Sequence, residues 1–377
     1  MSKQFIPVVS AGRAHDADIY SVVVSKPYTI TASGDGHLKF WANNVTENDN
    51  VKDDCQSVFV HKTGLHHVDV FEDVIDATRI ILVATVSFSG EVFFLSVDPS
   101  GAVTKLDNVK LDGGKNDTYW AIKWLKDLDG QKNSFTATQT SGDTKIWNFT
   151  VVDGVPKFEK HGDVKSQSGS FATCLDVSSS QDLLATGYQN GDVVLAHVES
   201  SKPVFTFHNF GLKGSTQSSS AIRSVKFSPL GKLLAVASDS GSYGVVTIYD
   251  TVYGENIGSF TIPTHSTHVS VGAYAHDGWV FEVDFNESGE SLVSAGYDGK
   301  VRVWNIKTRE REATISLSPT DVNDEDIVNE EDGICAAVGV KFINKGIRGG
   351  AGSDRNDGLV VISLDRGIRW YREAGGI

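Results

Sequence analysis

Short runs of alternating apolar and polar residues cover most of the chain, and no long helical period competes with them. The pattern is clearest in SLVSAGYDGKVRVWN (291–305), where an apolar run meets the turn Tyr297-Asp298-Gly299 and then alternation closing on a tryptophan. Asp followed by Gly suits the positive φ of a tight hairpin, so this stretch predicts two strands and a turn. TITASGDGHLKFWA (29–42) repeats the turn and the closing Trp. Weaker copies are ATVSFSGEVFFLSV (84–97), ATQTSGDTKIWNF (137–149), ATGYQNGDVVLAHV (185–198), SDSGSYGVVTIYD (238–250) and VISLDRGIRWYRE (361–373). Their closing anchors are Trp41, Leu95, Trp147, Ala196, Tyr249, Trp304 and Tyr371, separated by 54, 52, 49, 53, 55 and 67 residues.

A second recurring piece precedes each unit: IRSVKFSPLGKLLAVAS (222–238), VFEVDFNESGESLVSAG (280–296), YWAIKW (119–124) and FATCLDVSSSQDLLATG (171–187). Val225 with Phe227, and Val283 with Phe285, mark a strand buried on one face. Segments after the anchors, such as KPVFTF (202–207) and IGSFTI (257–262), supply a fourth strand. Seven such units predict an all-β fold, a seven-bladed propeller in one domain over residues 1–377. The last unit has only three strands. A strand at about 4–10, from the Phe5-Ile6-Pro7-Val8-Val9 segment, is expected to complete that blade and close the ring. An outer position tolerates Pro7, whose missing N–H faces away from the ladder.

Charge and composition narrow the function. The net charge is −14, from 48 acidic and 34 basic side chains, which works against binding phosphate backbones and favours basic protein partners. Direct nucleic-acid binding is therefore not expected. Cys55, Cys174 and Cys335 are far apart and form no CxxC pair, so neither a disulfide framework nor a cysteine zinc site is indicated. The N-terminus has no apolar core of signal-peptide length. The longest apolar run, Ile80 to Val86, is far short of the ~20 residues of a membrane helix. These features predict a soluble protein of a reducing compartment with no membrane contact.

Two units extend backwards to a histidine, giving His15, Thr31, Asp35, Trp41 and His276, Ser294, Asp298, Trp304. A buried imidazole, hydroxyl and indole N–H each need a partner, and a turn carboxylate can anchor such a chain of bonds. This resembles the WD-repeat family, and a motif that recurs serves the scaffold rather than chemistry. The other units depart from it: Asn190 and Asp365 keep a polar turn residue, while Ser89, Ser141 and Tyr243 stand at the aspartate position. Catalytic and cofactor motifs fail. Gly113-Gly114-Lys115 lacks the rest of a P-loop, no Gly-x-Ser-x-Gly elbow occurs, and Asp127-Leu128-Asp129-Gly130 is too short for a calcium loop. His61 with His66 and His67, and His265 with His268, lack a suitably spaced third ligand. No catalytic residue, metal or cofactor is expected. Two acidic stretches, Glu47 to Asp54 and about 320–333 between units six and seven, read as solvated loops, and Gly214 to Ser220 as a connector.

A propeller gathers the starts of its innermost strands on one face around the central channel. The residues just after the first apolar residue of each unit are Tyr20, His66, Trp120, Thr173, Arg223 and Phe281, with Trp279 two residues before Phe281. Val22, Val68, Ile122, Leu175, Val225 and Val283 fill the core positions separately. The bulky set is therefore surplus to the core and forms a candidate partner-binding face. Phe88, Tyr188 and Tyr297, in the strand turns, are expected on the opposite face or the rim.

AHDADIYSV (14–22), HKTGLHHVDV (61–70), WAIKW (120–124), SSAIRSVKFSP (219–229), PTHST (263–267), AHDGWV (275–280), SAGYDGKVRVW (294–304) and LDRGIRWYREAGG (364–376) resemble the WD-repeat subunit of the superkiller (Ski) complex. The resemblance implies a non-catalytic scaffold joining a tetratricopeptide protein and an RNA helicase, in support of exosome-dependent 3′-to-5′ mRNA decay. It also implies a meiotic role through a topoisomerase-like protein that makes double-strand breaks, hence cytoplasmic and nuclear location. Partners of that family present a short Gln-Arg segment ending in a hydrophobic residue. Asp16 and Asp18, beside Tyr20, are candidate carboxylates for the arginine. The competing readings are a WD-repeat reader of histone tails or ubiquitination substrates, and a propeller hydrolase with its site in the channel.

Overall fold

The structure is a computed structural model that describes residues 3–43, 51–52, 55–75, 78–112, 117–127, 133–208, 220–262, 274–322, 335–344 and 356–374. Outside them lie most of both acidic stretches, the Gly113-Gly114-Lys115 segment, Leu128 to Gly130, His265 and His268, the PTHST segment and the connector up to residue 219.

Among the described residues, twenty-eight strands form seven antiparallel sheets of four. In blades one to six the strands, called a to d from the channel outward, follow in chain order. Their innermost strands are Ile19–Val24, Leu65–Ile75, Tyr119–Leu125, Ala172–Ser178, Ile222–Phe227 and Val280–Phe285. Blade seven takes strands a to c from Ala337–Ile343, Gly358–Ser363 and Ile368–Ala374, and its outer strand from Gln4–Ala11. That outer strand pairs with strand c from Gln4↔Ala374 to Ala11↔Ile368, with an irregularity between Pro7 and Val9. The expected closure of the ring is what the molecule shows, and it leaves every innermost strand covered on both sides by neighbouring blades.

Between blades lie apolar cores. Val22, Val68, Ile122, Leu175, Val225 and Val283 are buried, and Val340 fills the same place in blade seven. Trp41, Trp147 and Trp304 are each fully enclosed on strand c. In blade one the polar chain runs through the sheet. Trp41 Nε1 donates to Thr31 Oγ1 at 2.9 Å, Thr31 Oγ1 lies 2.8 Å from His15 Nε2, and His15 Nδ1 lies 2.9 Å from Asp35 Oδ2. Blade six repeats it: Trp304 Nε1 to Ser294 Oγ at 2.9 Å, Ser294 to His276 Nε2 at 2.7 Å, His276 Nδ1 to Asp298 Oδ1 at 2.9 Å. Each chain ends on a carboxylate that also accepts the turn's own N–H, which pins the hairpin. Burial lowers the pKa of both imidazoles. Burial by itself would raise Asp35 and Asp298, but the facing histidine, and Arg302 in blade six, hold both below the usual carboxylate range.

The remaining blades vary this scheme. Blade six adds Arg302, almost fully buried, whose guanidinium bonds Asp298 Oδ2 at 2.7 Å. Blade seven keeps only that half: Arg369 bonds Asp365 and Ser363 Oγ, with Asp365 held at about 2, since Arg369 outweighs the effect of burial. Blade three keeps Trp147 but has Ala137 where the hydroxyl would stand, and the indole N–H has no partner among the described residues. In blade five the hairpin is longer, and Tyr243 begins strand c instead of occupying the turn.

Candidate functional site

In an antiparallel blade the start of strand a and the turn between strands b and c lie on one face, here called upper. The turns a–b and c–d lie on the lower face. Every strand a carries a register shift against strand b near its start. It falls between Ile19 and Ser21, Leu65 and His67, Tyr119 and Ile122, Ala172 and Cys174, Ile222 and Ser224, Val280 and Glu282, and Ala337 and Gly339. The extra residue is Tyr20, His66, Trp120 with Ala121, Thr173, Arg223, Phe281 and, in blade seven, Val338. A bulge takes one side chain out of the in–out alternation and re-aims it. The bulges turn the set toward the upper mouth of the channel, with Ala121 buried and Trp120 and Val338 still packed against the cores between blades. A cavity of about 130 Å3 there is lined by Tyr20, Thr173, Arg223, Phe281 and Val338, among others.

Two aromatic groups form on this face. In the first, His66 stacks on Trp120 (centroids 4.0 Å apart, planes at 26°), and Phe88 meets Tyr20 edge-on at 5.1 Å and His66 at 5.0 Å. Phe171 closes the far side of Trp120 at 5.0 Å. Tyr20 and Phe88 are 40% and 43% exposed, so the group is open to solvent and not a core. His66 lies beneath, with burial pushing its pKa down to about 4, so the floor is uncharged at neutral pH. Its Nε2 has no partner among the described residues.

The second group lies on blades five and six. Arg223 is held by Asp239, which is fully buried, through two bonds of 2.6 and 2.8 Å. Its guanidinium sits 4.4 Å from the Trp279 ring and 5.4 Å from Phe281. Tyr297 meets Trp279 at 6.0 Å and Phe281 at 6.3 Å. Trp279 donates its N–H to Gly241 O at 3.0 Å and leaves its outer ring face free, 38% exposed.

Several expectations need correction. Phe88 and Tyr297 lie on the upper face with the other aromatics, because the b–c turn emerges on the side where strand a begins. Tyr188 is buried, its hydroxyl donating to Gly142 O at 3.2 Å. Thr173 is committed to the scaffold: its hydroxyl lies within hydrogen-bond reach of Gly187 O at 3.0 Å and Ile222 O at 2.5 Å, bridging blades four and five. Arg223 is not a loose contact residue, since it neutralises a buried carboxylate. Asp16 is exposed, its backbone N–H donating to Asp35; Asp18 lies 3.9 Å from Arg366.

The channel below is lined with paired charge around a cavity of about 540 Å3. One residue after each core position, strand a reads Val23, Asp69, Lys123, Asp176, Lys226, Asp284 and Lys341. Each aspartate accepts a backbone N–H of the next blade, from Trp124, Phe227 and Phe342, at 2.8 to 2.9 Å. Lys123 pairs with Asp69 at 3.0 Å and Lys226 with Asp176 at 3.3 Å, while Lys341 pairs with Glu282. Burial would lower Lys226, but Asp176, Asp284 and Asp69 outweigh it and raise its pKa. These ion pairs and the aspartate-to-backbone bonds stitch neighbouring blades together. Among the described residues no three His, Cys, Asp or Glu gather as a metal site, and no helix is long and apolar enough to cross a membrane.

Seven blades of four strands and the indole–hydroxyl–imidazole–carboxylate chains define a WD-repeat propeller. In agreement, the family model for WD domain, G-beta repeat matches residues 262–305, and that for the anaphase-promoting complex subunit 4 WD40 domain matches 175–273. Antiviral protein SKI8 of Saccharomyces cerevisiae is 43% identical over 399 aligned positions that span 100% of both chains. The chain belongs to that family, the WD-repeat proteins of the superkiller complex type. Meiotic recombination protein rec14 of Schizosaccharomyces pombe is 29% identical over 68% of this chain and 74% of its own. Polycomb protein esc of Drosophila virilis is 28% identical over 59% of this chain and 48% of its own.

Proposed function

We propose that the protein is a non-catalytic interaction scaffold that docks partners on its upper face, as the WD-repeat subunit of a superkiller complex. The observation that carries this is the pair of solvent-open aromatic groups, around Phe88 and around Trp279, built from b–c turns and the starts of strands a. Exposed aromatics on a rigid frame are what an interface hot spot requires. The likeness to a protein named for antiviral action supports assembly with a tetratricopeptide protein and an RNA helicase in cytoplasmic mRNA decay. Likeness to a protein named for meiotic recombination supports a second, nuclear role with a topoisomerase-like partner. A short partner segment would place its hydrophobic end among Tyr20, Phe88 and Trp120, and its arginine near Asp16 or Asp18.

The test is affinity purification of the tagged protein from native extract, wild type against Phe88→Ala/Trp279→Ala. Recovery of a tetratricopeptide protein and a helicase with wild type, and their loss with the variant at unchanged thermal midpoint, is expected. Histones recovered in their place, or undiminished recovery with the variant, would refute the proposal.

A further inference from the structure

The lower face carries an internal control. In blade six the c–d turn is set by Asn305, whose Oδ1 accepts the N–H groups of Lys307 and Thr308 at 3.0 and 2.9 Å, while Arg309 N bonds Asn305 O at 2.8 Å. Blade five has the same framework: Asp250 Oδ1 accepts Val252 N–H and Tyr253 N–H, both at 2.8 Å, and Gly254 N bonds Asp250 O at 3.0 Å. The adjoining a–b turns match too, Gly231 N to Ser228 O and Gly289 N to Asn286 O. The side chains differ. Where blade six presents Ser288, Lys307 and Thr308, and blade four Ser180, Glu199 and Ser200, blade five presents Leu230, Val252 and Tyr253.

Those three are 67%, 52% and 74% exposed. The turn does not demand them, because the neighbouring blades build it with polar residues. Nor can they fold inward, since Asp250 and Thr251, whose hydroxyl donates to Gly231 O at 2.6 Å, fix the loop. Next to them Gly254 lets the Phe205 ring of blade four approach: a Cβ there would lie 2.6 Å from it.

We propose that this corner of blades four and five is a second docking surface, which takes a basic amphipathic helix of another protein. Its exposed apolar area is roughly 300 Å2, the size of the largest patch on a typical monomer, which is often functional. That is well under half of the ~800 Å2 per partner that a stable interface between whole proteins buries, so a single segment fits and a second propeller does not. In the lower-face turns of blades four to six Asp182, Glu199, Glu255, Glu287, Glu290 and Glu310 stand against Lys202, Lys232, Lys307 and Arg309, on a chain of net charge −14. The sign favours lysine and arginine flanking an apolar ridge at i, i+3 and i+4 spacing.

The probe is a fluorescent peptide of about five helical turns with leucines on one face and lysines on the other, titrated into the full chain. A scrambled peptide of equal composition is the control. Binding with a Kd of about 10 μM is expected. It should weaken at least about tenfold in Leu230→Ser/Tyr253→Ser and stay unchanged in Phe88→Ala/Trp279→Ala, which separates this surface from the upper one. Equal binding of the scrambled peptide, no loss in the lower-face variant, or no binding at all overturns the proposal. So does a concentration-dependent dimer in sedimentation that the lower-face variant abolishes, since the occupant would then be a second copy.

Discussion

Replacing Ser294 by Ala removes one oxygen from the middle of blade six. That oxygen accepts the Trp304 N–H at 2.9 Å and faces His276 Nε2 at 2.7 Å, and all three residues are fully enclosed. The substitution strands two buried polar groups, each costing about 1–3 kcal/mol. The vacated volume is small, so the cavity contribution is minor. The expected loss is therefore about 2–5 kcal/mol in urea unfolding followed by tryptophan fluorescence. Adding Trp304→Phe removes one of the stranded groups, so it should cost less in the Ser294→Ala background than in wild type, by about 1–2 kcal/mol. Blade three provides the reverse experiment. Trp147 stands ten residues after Ala137 and its N–H is unpartnered among the described residues. Ala137→Ser offers the missing acceptor and is expected to gain about 1 kcal/mol. A loss below about 1 kcal/mol for Ser294→Ala, together with destabilisation by Ala137→Ser, would refute the claim that the hydroxyl anchors the indole.

Three further outcomes follow from the same geometry. Lys226→Met leaves Asp176 and Asp284 facing one another across the channel and should lower stability by about 2–4 kcal/mol, with water in the channel moderating the loss; a neutral result in urea would contradict the stitching role. Arg223→Glu sets a carboxylate against buried Asp239 and should destabilise by at least about 3 kcal/mol, so loss of binding in that variant says nothing of the upper face, and a wild-type melting temperature would contradict the pairing. Stability should also fall with pH. His15, His66, His67 and His276 all have folded pKa values lowered, chiefly by burial, so below about 6.5 the unfolded chain takes up protons that the folded chain refuses. Their contribution is full above pH 6.5 and declines toward His66's value of about 4. A flat urea midpoint from pH 8 to 5 would contradict this.

Much of the molecule was legible in the sequence because a repeat states the same pattern seven times. A run such as LVSAGYDGKVRVW specifies a hairpin, and the ~50-residue period of the anchors specifies a blade. The upper-face residues were legible as bulky side chains standing just before a core position. The bulge that turns them was not, since it falls at the first residues of strand a, where too few positions precede it for a break in alternation to show. Phe88 and Tyr297 reach the upper face because the chain reverses direction between strands a and b, which the side-chain pattern of the turn does not state. Arg302 and Arg369 each follow a turn aspartate by four residues, a spacing that could have revealed them. The channel ring was equally open to reading. Strict alternation cannot close around seven positions, and Val23 stands at the seam.

Calorimetric titration of the pure chain with a synthetic Gln-Arg peptide ending in a hydrophobic residue tests the docking face most directly. The account expects saturable one-to-one binding that Phe88→Ala/Trp279→Ala abolishes while the unfolding midpoint stays in place. Undiminished heat of binding in that variant, or no heat with wild type, would contradict it.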